Sequence, residues 1–377
     1  MRTTYLFFSL LLLTCCPGCG DEVDQAINDM GKSPKKVRDA QMELILTSKD
    51  PMPRLIEALE DEGRSKTARM NLIETAGKLS QRTGGRRAQD VLMATLSDPD
   101  KDVKIGAMSA LSAMEMDSTS AVAIQPLLND EDLEVRRKAD EALDDGVKEL
   151  VEKALGLARM EKNDEAENLF VQATAYNPRS GKARYALARF YDDIGRAEEA
   201  QKLLKALHFV RDWWVIGPFD APDRRGFKIT YPPEKAVKLK QSYPGKSNKL
   251  VRWVRHQIPE NTGVLDFKDV WTEDNDDAAG FAFCTLYSPD ERRARILLGS
   301  DDTINLWLNG KEVLAKDVYR GTHPDDDKVD VTLRKGANRL LAKVCNGSGG
   351  WGLALRLTDP DGNAMEDVAY RVPEVNE

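Results

Sequence analysis

Leu96-Ser97-Asp98-Pro99-Asp100, followed by Val103-Lys104, returns 32 residues later as Leu128-Asn129-Asp130-Glu131-Asp132, followed by Val135-Arg136. Each copy reads as the end of one helix, a short acidic turn and the start of a second helix. Asp98 and Asp130 suit the N-terminal cap of that second helix, and Pro99 suits its first turn. An internal repeat of this length is typical of stacked helical pairs.

The second helix of each copy carries one apolar stripe. Val103, Ala107 and Leu111 lie at i, i+4 and i+8, and an equivalent set follows 32 residues later. An acidic residue before the helix, then Val and a basic residue, then Ala and Leu, resembles HEAT repeats. The resemblance implies HEAT-like α-repeats over residues 34–146, with weaker early copies at Pro34-Lys35-Lys36-Val37-Arg38 and over residues 55–79.

A second kind of helical repeat is indicated over residues 147–208. Small residues such as Ala166 and Ala188 stand where paired helices touch, and Pro178 stands where a helix ends. Together with the stretch from Tyr191 to Ala200, this spacing resembles tetratricopeptide repeats. We predict an N-terminal α-solenoid of HEAT-like and then tetratricopeptide-like repeats, whose surface binds a protein or peptide partner.

The C-terminal part has a different composition and period. No aromatic residue occurs from Ser9 to Leu169, whereas all six tryptophans lie at or after Trp213. Ile304, Leu306 and Leu308 alternate with Asn305 and Trp307, and the dipeptide Asn309-Gly310 that follows is a hairpin signal. Regularly spaced short strands predict an antiparallel jelly-roll-like β-sandwich over residues 209–373. We expect residues 20–208 and 209–377 to be separate folding units.

Several motifs in this region resemble a β-sandwich module found in bacterial secreted and envelope proteins. The motifs are Trp214-Val215-Ile216-Gly217-Pro218-Phe219, Tyr231-Pro232-Pro233-Glu234, Gly299-Ser300-Asp301-Asp302, Trp307-Leu308-Asn309-Gly310-Lys311, Gly336-Ala337-Asn338 and Gly350-Trp351-Gly352. In layout the module is similar to the sugar-binding sandwich of β-galactosidase-type hydrolases and to protective-antigen-type domains. The resemblance implies the fold, and it implies carbohydrate binding more weakly, because such sandwiches also serve as spacers and docking surfaces.

The N-terminus resembles a bacterial lipoprotein signal. An apolar run from Tyr5 to Leu13 is too short to span a bilayer and is followed by small residues and cysteines. We predict a signal peptide over residues 1–19, lipidation at Cys19 with Cys16 as the alternative, and a linker over residues 20–33. Ordinary secretion with cleavage nearby is the other interpretation. Both interpretations predict export, and we expect a lipid anchor to hold the protein in a membrane of the bacterial cell envelope.

Composition argues against several classes of function. A net charge of −8 offers no overall basic field for nucleic acid, and only three histidines are present. The Gly-Ser-Gly within residues 346–350 lacks the first glycine of a nucleophile elbow, so we interpret it as a turn. No spacing singles out a working carboxylate pair for a hydrolase. Cys284 and Cys345 either pair in the oxidising compartment or are two buried free thiols.

The predicted ligand site lies on the sandwich. Asn305 and Trp307 share the strand face opposite the core residues, and an aromatic ring beside an amide suits a pyranose. Asp301 and Asp302 immediately precede this strand, and Trp351 lies in a glycine-rich turn. By resemblance to calcium-dependent lectins of the protective-antigen type, Asp301 and Asp302 are calcium candidates. Residues 274–277 and 325–327 are acidic too, and we interpret both as solvated loops.

These observations favour a non-enzymatic binding scaffold that needs no cofactor. The helical repeats would bind a protein or peptide, and the sandwich would provide a second binding surface. The alternative is an accessory protein that binds extracellular or envelope polysaccharide, with calcium or without it.

Overall fold

The computed structural model describes residues 21–372, except residues 62, 84, 85, 115 and 274. The signal peptide predicted over residues 1–19, with both candidate lipidation sites, Cys16 and Cys19, lies outside the described residues. Within them, no helix has both the length and the apolar character that crossing a bilayer requires.

Helices make up the first half of the described chain. They are α1 (Asp21–Asp29), α2 (Pro34–Leu46), α3 (Met52–Glu60), α4 (Lys66–Thr83), α5 (Arg86–Thr95), α6 (Lys101–Ala113), α7 (Ser118–Ile124), α8 (Leu133–Arg159), α9 (Asn163–Tyr176), α10 (Gly181–Asp193) and α11 (Ala197–Leu207). A 3₁₀ helix covers Gln125–Asn129. The predicted helical repeat region is therefore confirmed.

Helix α1 corrects the prediction of a linker over residues 20–33. Its residues Val23, Ala26 and Ile27 are buried, as is Met30 in the turn that follows. These side chains recur at helical spacing, so α1 buries an apolar stripe against α2 and is part of the packed repeat region.

The repeated acidic turns join successive helices. Asp98 accepts from Arg69, and Asp130 pairs with Lys104 at 2.6 Å, so equivalent carboxylates bind the second helix of the preceding repeat. The N-terminal caps lie two residues further on than predicted. In the first copy Asp100, not Asp98, caps α6 by accepting from the backbone N–H of Asp102. The predicted 32-residue period is therefore correct. The aspartate that was predicted as the cap pairs with a basic side chain, and the aspartate two residues later is the cap.

The chain divides into two compact units, one ending at Gly146 and the other beginning at Val147. The expected division at residue 208 is therefore wrong. Phe209, Leu204, Leu207 and Ala354 form one buried apolar cluster, which joins the tetratricopeptide-like helices to a strand of the sandwich. Two such repeats cannot bury their apolar faces alone, and here the sandwich covers one of those faces.

Strands make up the rest of the second unit, with one short helix, α12 (Pro232–Lys235). They are β1 (Asp212–Asp220), β2 (Ser242–Pro244), β3 (Leu250–Arg252), β4 (Val254–Gln257), β5 (Val264–Asp266), β6 (Ala278–Ser288), β7 (Arg292–Asp301), β8 (Thr303–Leu308), β9 (Lys311–Lys316), β10 (Asp327–Leu333), β11 (Gly336–Asn346), β12 (Gly352–Thr358) and β13 (Ala369–Arg371). Short 3₁₀ helices cover Pro222–Lys228, Lys246–Asn248 and Phe267–Asp269.

The two main sheets are antiparallel. The larger has the order β4-β1-β6-β11-β8-β9, with β13 also paired to β6, and the smaller has the order β10-β7-β12-β5. A buried core between them includes Ile304, Leu306 and Leu308, as their alternation predicts. Asn309 and Gly310 both have positive φ and form the predicted hairpin turn between β8 and β9. The α + β fold class is therefore confirmed.

Residues 221–253, which we call the cover layer, lie on the other face of the larger sheet. Tyr231, Tyr243, Val251 and Trp253 point inward and form a second apolar cluster with Phe281 and other residues of the sheet. Both faces of the larger sheet are therefore buried, the second one by a cover layer of short strands, short helices and the segments between them.

Cys284 and Cys345 are buried free thiols. Cys284 lies in the core between the sheets, whereas Cys345 lies in the cluster beneath the cover layer. They are on opposite faces of the same sheet. In the register of β6 and β11, the residue opposite Cys345 is Ala279 and not Cys284. The sequence left open whether Cys284 and Cys345 form a disulfide or are two buried free thiols, and in the structure they are free thiols.

Candidate functional site

The residues predicted to contact a sugar are divided between the two faces of the larger sheet and are mostly enclosed. Asn305 and Trp307 do share the face of β8 opposite the core, and Trp307 packs against the cluster beneath the cover layer. Asn305 is buried, and its side-chain amide donates to Glu312 Oε1 at 3.0 Å. Trp351 lies in the core between the sheets, with its ring 5.0 Å from that of Phe267. Asn305 and Trp351 therefore do not present an open surface.

Asp301 and Asp302 differ in environment. The carboxylate of Asp302 is buried and accepts from the backbone N–H groups of Arg320 at 3.2 Å and Gly347 at 3.0 Å. Burial, then repulsion and a hydrogen bond from Asp302, raises the pKa of Asp301 to about 6. The nearby Asn346 is fully buried, and its Oδ1 has no hydrogen-bond partner in the described part of the chain. Among the described residues, no three His, Cys, Asp or Glu side chains are grouped as metal ligands.

A groove of about 490 Å³ lies in the second unit. Helix α8 contributes one side, helix α10 the other, and Phe170 of α9 lies between them. We call it the helical groove. Its lining residues are Lys148, Val151, Glu152, Leu155, Ala158, Phe170, Lys182, Tyr185, Ala186, Arg189, Phe190, Asp193, His323, Pro324 and Asp326. Its floor is apolar and its charged residues are of both signs.

The last three lining residues come from the sandwich. They belong to residues 317–326, the wall loop, which joins β9 to β10. Asp325 accepts from the backbone N–H of Gly181 at 2.7 Å, at the first residue of α10, and forms a buried ion pair with Arg356 of β12. A Cβ at Gly181 would lie 2.5 Å from Asp325 Oδ2, and one at Gly299 would overlap the carbonyl oxygen of His323. The wall loop therefore needs these two glycines to approach both elements so closely.

Charge pairs keep the wall loop against helix α10. Lys182 Nζ lies 2.6 Å from Asp326 Oδ1, and His323 Nδ1 lies 3.6 Å from Asp326 Oδ2. Burial favours the neutral form of Asp326, but the hydrogen bonds with His323 and Lys182 outweigh it and lower its pKa. Burial raises the pKa of Tyr185, whose ring packs edge-on against Phe209. The side of the rim formed by the wall loop therefore has paired charges beside an apolar floor.

The acidic run 325–327 corrects the interpretation as a solvated loop. Asp325 and Asp327 are buried, and Asp327 pairs with Lys316 and Arg320. Each carboxylate of the run has a basic partner, which is how ionised groups are retained in a protein interior. One signal in the sequence was available: Arg356 stands within the apolar run Leu353–Leu357, and a buried arginine requires a buried acid.

Comparison with known families supports the two repeat types. A model of HEAT repeats matches residues 52–144. A model of tetratricopeptide repeats matches residues 157–208, which supply two of the three helices of the helical groove. No curated protein sequence matches the chain. The chain thus contains HEAT and tetratricopeptide repeats, followed by a β-rich C-terminal domain.

Solved structures show only distant similarity. The PA14 domain of the MpAFP antifreeze protein has 13% identity and a TM-score of 0.20, over 26% of this chain and 50% of that one. A β-glucosidase from Kluyveromyces marxianus has 16% identity and a TM-score of 0.23, over 31% of this chain and 15% of that one. The CpcE–CpcF complex of phycocyanin lyase from Nostoc sp. PCC7120 has 21% identity and a TM-score of 0.26, over 55% of this chain and 75% of that one. The chain therefore spans half or less of the first two proteins.

Proposed function

We propose that this protein is a non-enzymatic scaffold of the bacterial cell envelope, and that its helical groove binds a segment of a partner protein. The observation that carries the proposal is the groove itself, which is built on tetratricopeptide repeats and walled by the sandwich. Repeats of this kind and HEAT repeats generally mediate protein–protein interaction. An apolar floor with a few charged groups at the rim is typical of a binding site.

The lining residues suggest the chemistry of the bound segment. Leu155 is 41% exposed at the floor, so an apolar side chain of the partner would remove it from water. Lys148 lies at the start of the same helix face and is exposed. We therefore infer a segment with an apolar anchor residue and an acidic residue near it.

Peptides selected from a random display library on the purified protein would test this proposal. We expect Leu155→Glu to weaken their binding at least about tenfold, because the apolar anchor then faces a carboxylate. Val171→Glu is the matched control, since Val171 is similarly exposed, at 45%, but does not line the groove. Dissociation constants for both variants are measured by fluorescence anisotropy. An equal effect of the two substitutions, or of neither, would contradict binding in the groove.

Export and anchoring through Cys19, with Cys16 as the alternative, are part of the same proposal. They are supported by the apolar run and the small residues before Cys19. Labelled palmitate should be incorporated by the native chain in a bacterial host and not by the Cys16→Ser/Cys19→Ser variant. A native chain that takes up no label would refute lipidation.

Carbohydrate binding by the sandwich is the alternative function. It is favoured by one arrangement: Asp301 and Asp302 are adjacent carboxylates, and Asp302 Oδ2 accepts from the backbone N–H of Gly347, the residue after Asn346, whose Oδ1 has no hydrogen-bond partner among the described residues. Calcium prefers oxygen ligands, and a cation here would offset the repulsion between Asp301 and Asp302. Glycan-array binding that chelation abolishes would favour this alternative. Binding of selected peptides without any glycan signal would favour the scaffold.

A further inference from the structure

The cover layer contains a long stretch without acidic residues. Between Glu234 and Glu260 there is no Asp or Glu, although the chain as a whole carries a net charge of −8. Seven basic residues occur in the same stretch, namely Lys235, Lys238, Lys240, Lys246, Lys249, Arg252 and Arg255. The negative charge of the protein is therefore interrupted here by a local concentration of positive charge.

In the structure, most of these basic side chains face outward, away from the larger sheet. Val237 and Leu239 pack toward the sheet, so Lys238 and Lys240 between and after them face outward. In the hairpin of β2 and β3, Tyr243 pairs with Val251 and both are buried, whereas Leu250 and Arg252 are exposed. We call Lys235, Lys238, Lys240, Lys249, Leu250 and Arg252 the basic face.

Two features of the basic face distinguish it from an ordinary solvated surface. Lys235, Lys238, Lys240 and Arg252 form no ion pair with any residue that the structure describes. Leu250 is 78% exposed, the highest value among the large apolar residues described. Nearby carboxylates are already engaged: Glu234 binds Lys343, and Asp212 binds Arg255.

We propose that the basic face docks on the surface of an anionic phospholipid bilayer, with Leu250 entering the interface between headgroups and acyl chains. Clustered lysines and arginines bind anionic headgroups, and each contributes on the order of 1 kcal/mol near the surface, equivalent to about a fivefold change in affinity. An exposed leucine at the tip of a hairpin adds to the affinity for a bilayer, because the bilayer takes its apolar side chain out of water.

A nucleic acid fits this face less well. The aromatic residues of the cover layer, Tyr243 and Trp253, are buried and offer no stacking platform for single strands. No helix lies along the basic face to enter a major groove, since α12 has only four residues. Contacts with nucleic-acid phosphates would leave the Leu250 side chain in water, whereas insertion into a bilayer would transfer it out of water.

Co-sedimentation with vesicles tests the inference, using the chain from residue 20 onward so that no acyl anchor contributes. We expect binding to phosphatidylcholine vesicles containing phosphatidylglycerol and little binding to phosphatidylcholine alone. Lys238→Gln/Arg252→Gln should weaken binding roughly 25-fold, and Leu250→Ser roughly tenfold. The matched control is Lys35→Gln/Leu46→Ser on α2, where an exposed lysine and an exposed leucine also share a surface.

The control variant should bind as the native chain does. Equal binding to both kinds of vesicle, or equal losses in the control and in the basic-face variants, would overturn the proposal. Tight binding of a duplex oligonucleotide without vesicle binding would overturn it as well and identify the face as a nucleic-acid site. Melting curves confirm that the variants are folded, and these exposed substitutions should leave the melting temperature unchanged.

Discussion

Replacing Asp325 with asparagine is expected to lower the free energy of unfolding of the second unit by about 3–5 kcal/mol. Asp325 and Arg356 are each 3% exposed, and Arg356 Nε and Nη2 donate to the two carboxylate oxygens at 2.8 and 2.5 Å. Asparagine keeps the shape of the side chain and tolerates the positive φ of this residue. The substitution therefore removes one charge and leaves a guanidinium buried without its counter-ion.

Chemical unfolding followed by tryptophan fluorescence is the measurement, because all six tryptophans lie in the second unit. The matched control is Asp212→Asn, which breaks a similarly bidentate pair with the exposed Arg255 and should cost no more than about 1 kcal/mol. Adding Arg356→Met to Asp325→Asn should restore much of the loss, since no unpaired charge remains. Equal costs for Asp325→Asn and Asp212→Asn would show that the buried pair does not hold the wall loop.

The repeat architecture could be predicted because its signals are local. The 32-residue period and the stripe that contains Ala107 and Leu111 depend on residues a few positions apart, and the structure has helices at the corresponding places. The alternation of Ile304, Leu306 and Leu308 is equally local, and it assigned the correct face of β8 to the core.

The candidate site could not be predicted in the same way, because it depends on contacts between distant parts of the chain. The wall loop meets α10 through Asp325 and Gly181, which are 144 residues apart. Nothing near either residue in the sequence indicates the other. The sequence identified the tetratricopeptide-like helices but not the sandwich residues that complete the helical groove.

Trp307 illustrates the same limit on the sandwich. Alternation correctly placed it opposite the core, but it gave no information about what covers that second face. The cover layer does so with short strands, short helices and irregular segments, which are too short to show a period in the sequence. The exposure of Asn305 was therefore overestimated, and the partly exposed Trp307 contacts an apolar cluster as well as solvent.

The second large effect is expected from Glu234→Ala, which should cost about 3–5 kcal/mol and release the start of the cover layer. Lys343 of β11 is 1% exposed, and its ammonium donates to Glu234 Oε1 and to the carbonyl oxygens of Phe227 and Ile229, each at 3.1 Å. The same carboxylate oxygen accepts from the backbone N–H of Tyr231 at 3.0 Å. Its loss leaves a buried ammonium with neutral acceptors only, and it also frees the turn at α12.

Limited trypsin digestion of the native protein separates local release from global unfolding. In the Glu234→Ala variant we expect rapid cleavage after Lys228 and Lys235, because the segment that contains them is no longer held by the buried ammonium. Glu260→Ala is the control, since Glu260 pairs with Arg211 on the surface and its loss should change neither stability nor cleavage by much. If both variants were cleaved at the same rate, Lys343 would not be the residue that fixes the cover layer to the sheet. Cleavage confined to Glu234→Ala would show that the buried pair with Lys343 holds the start of the cover layer, whereas the β2–β3 hairpin keeps its own buried contacts through Tyr243 and Val251.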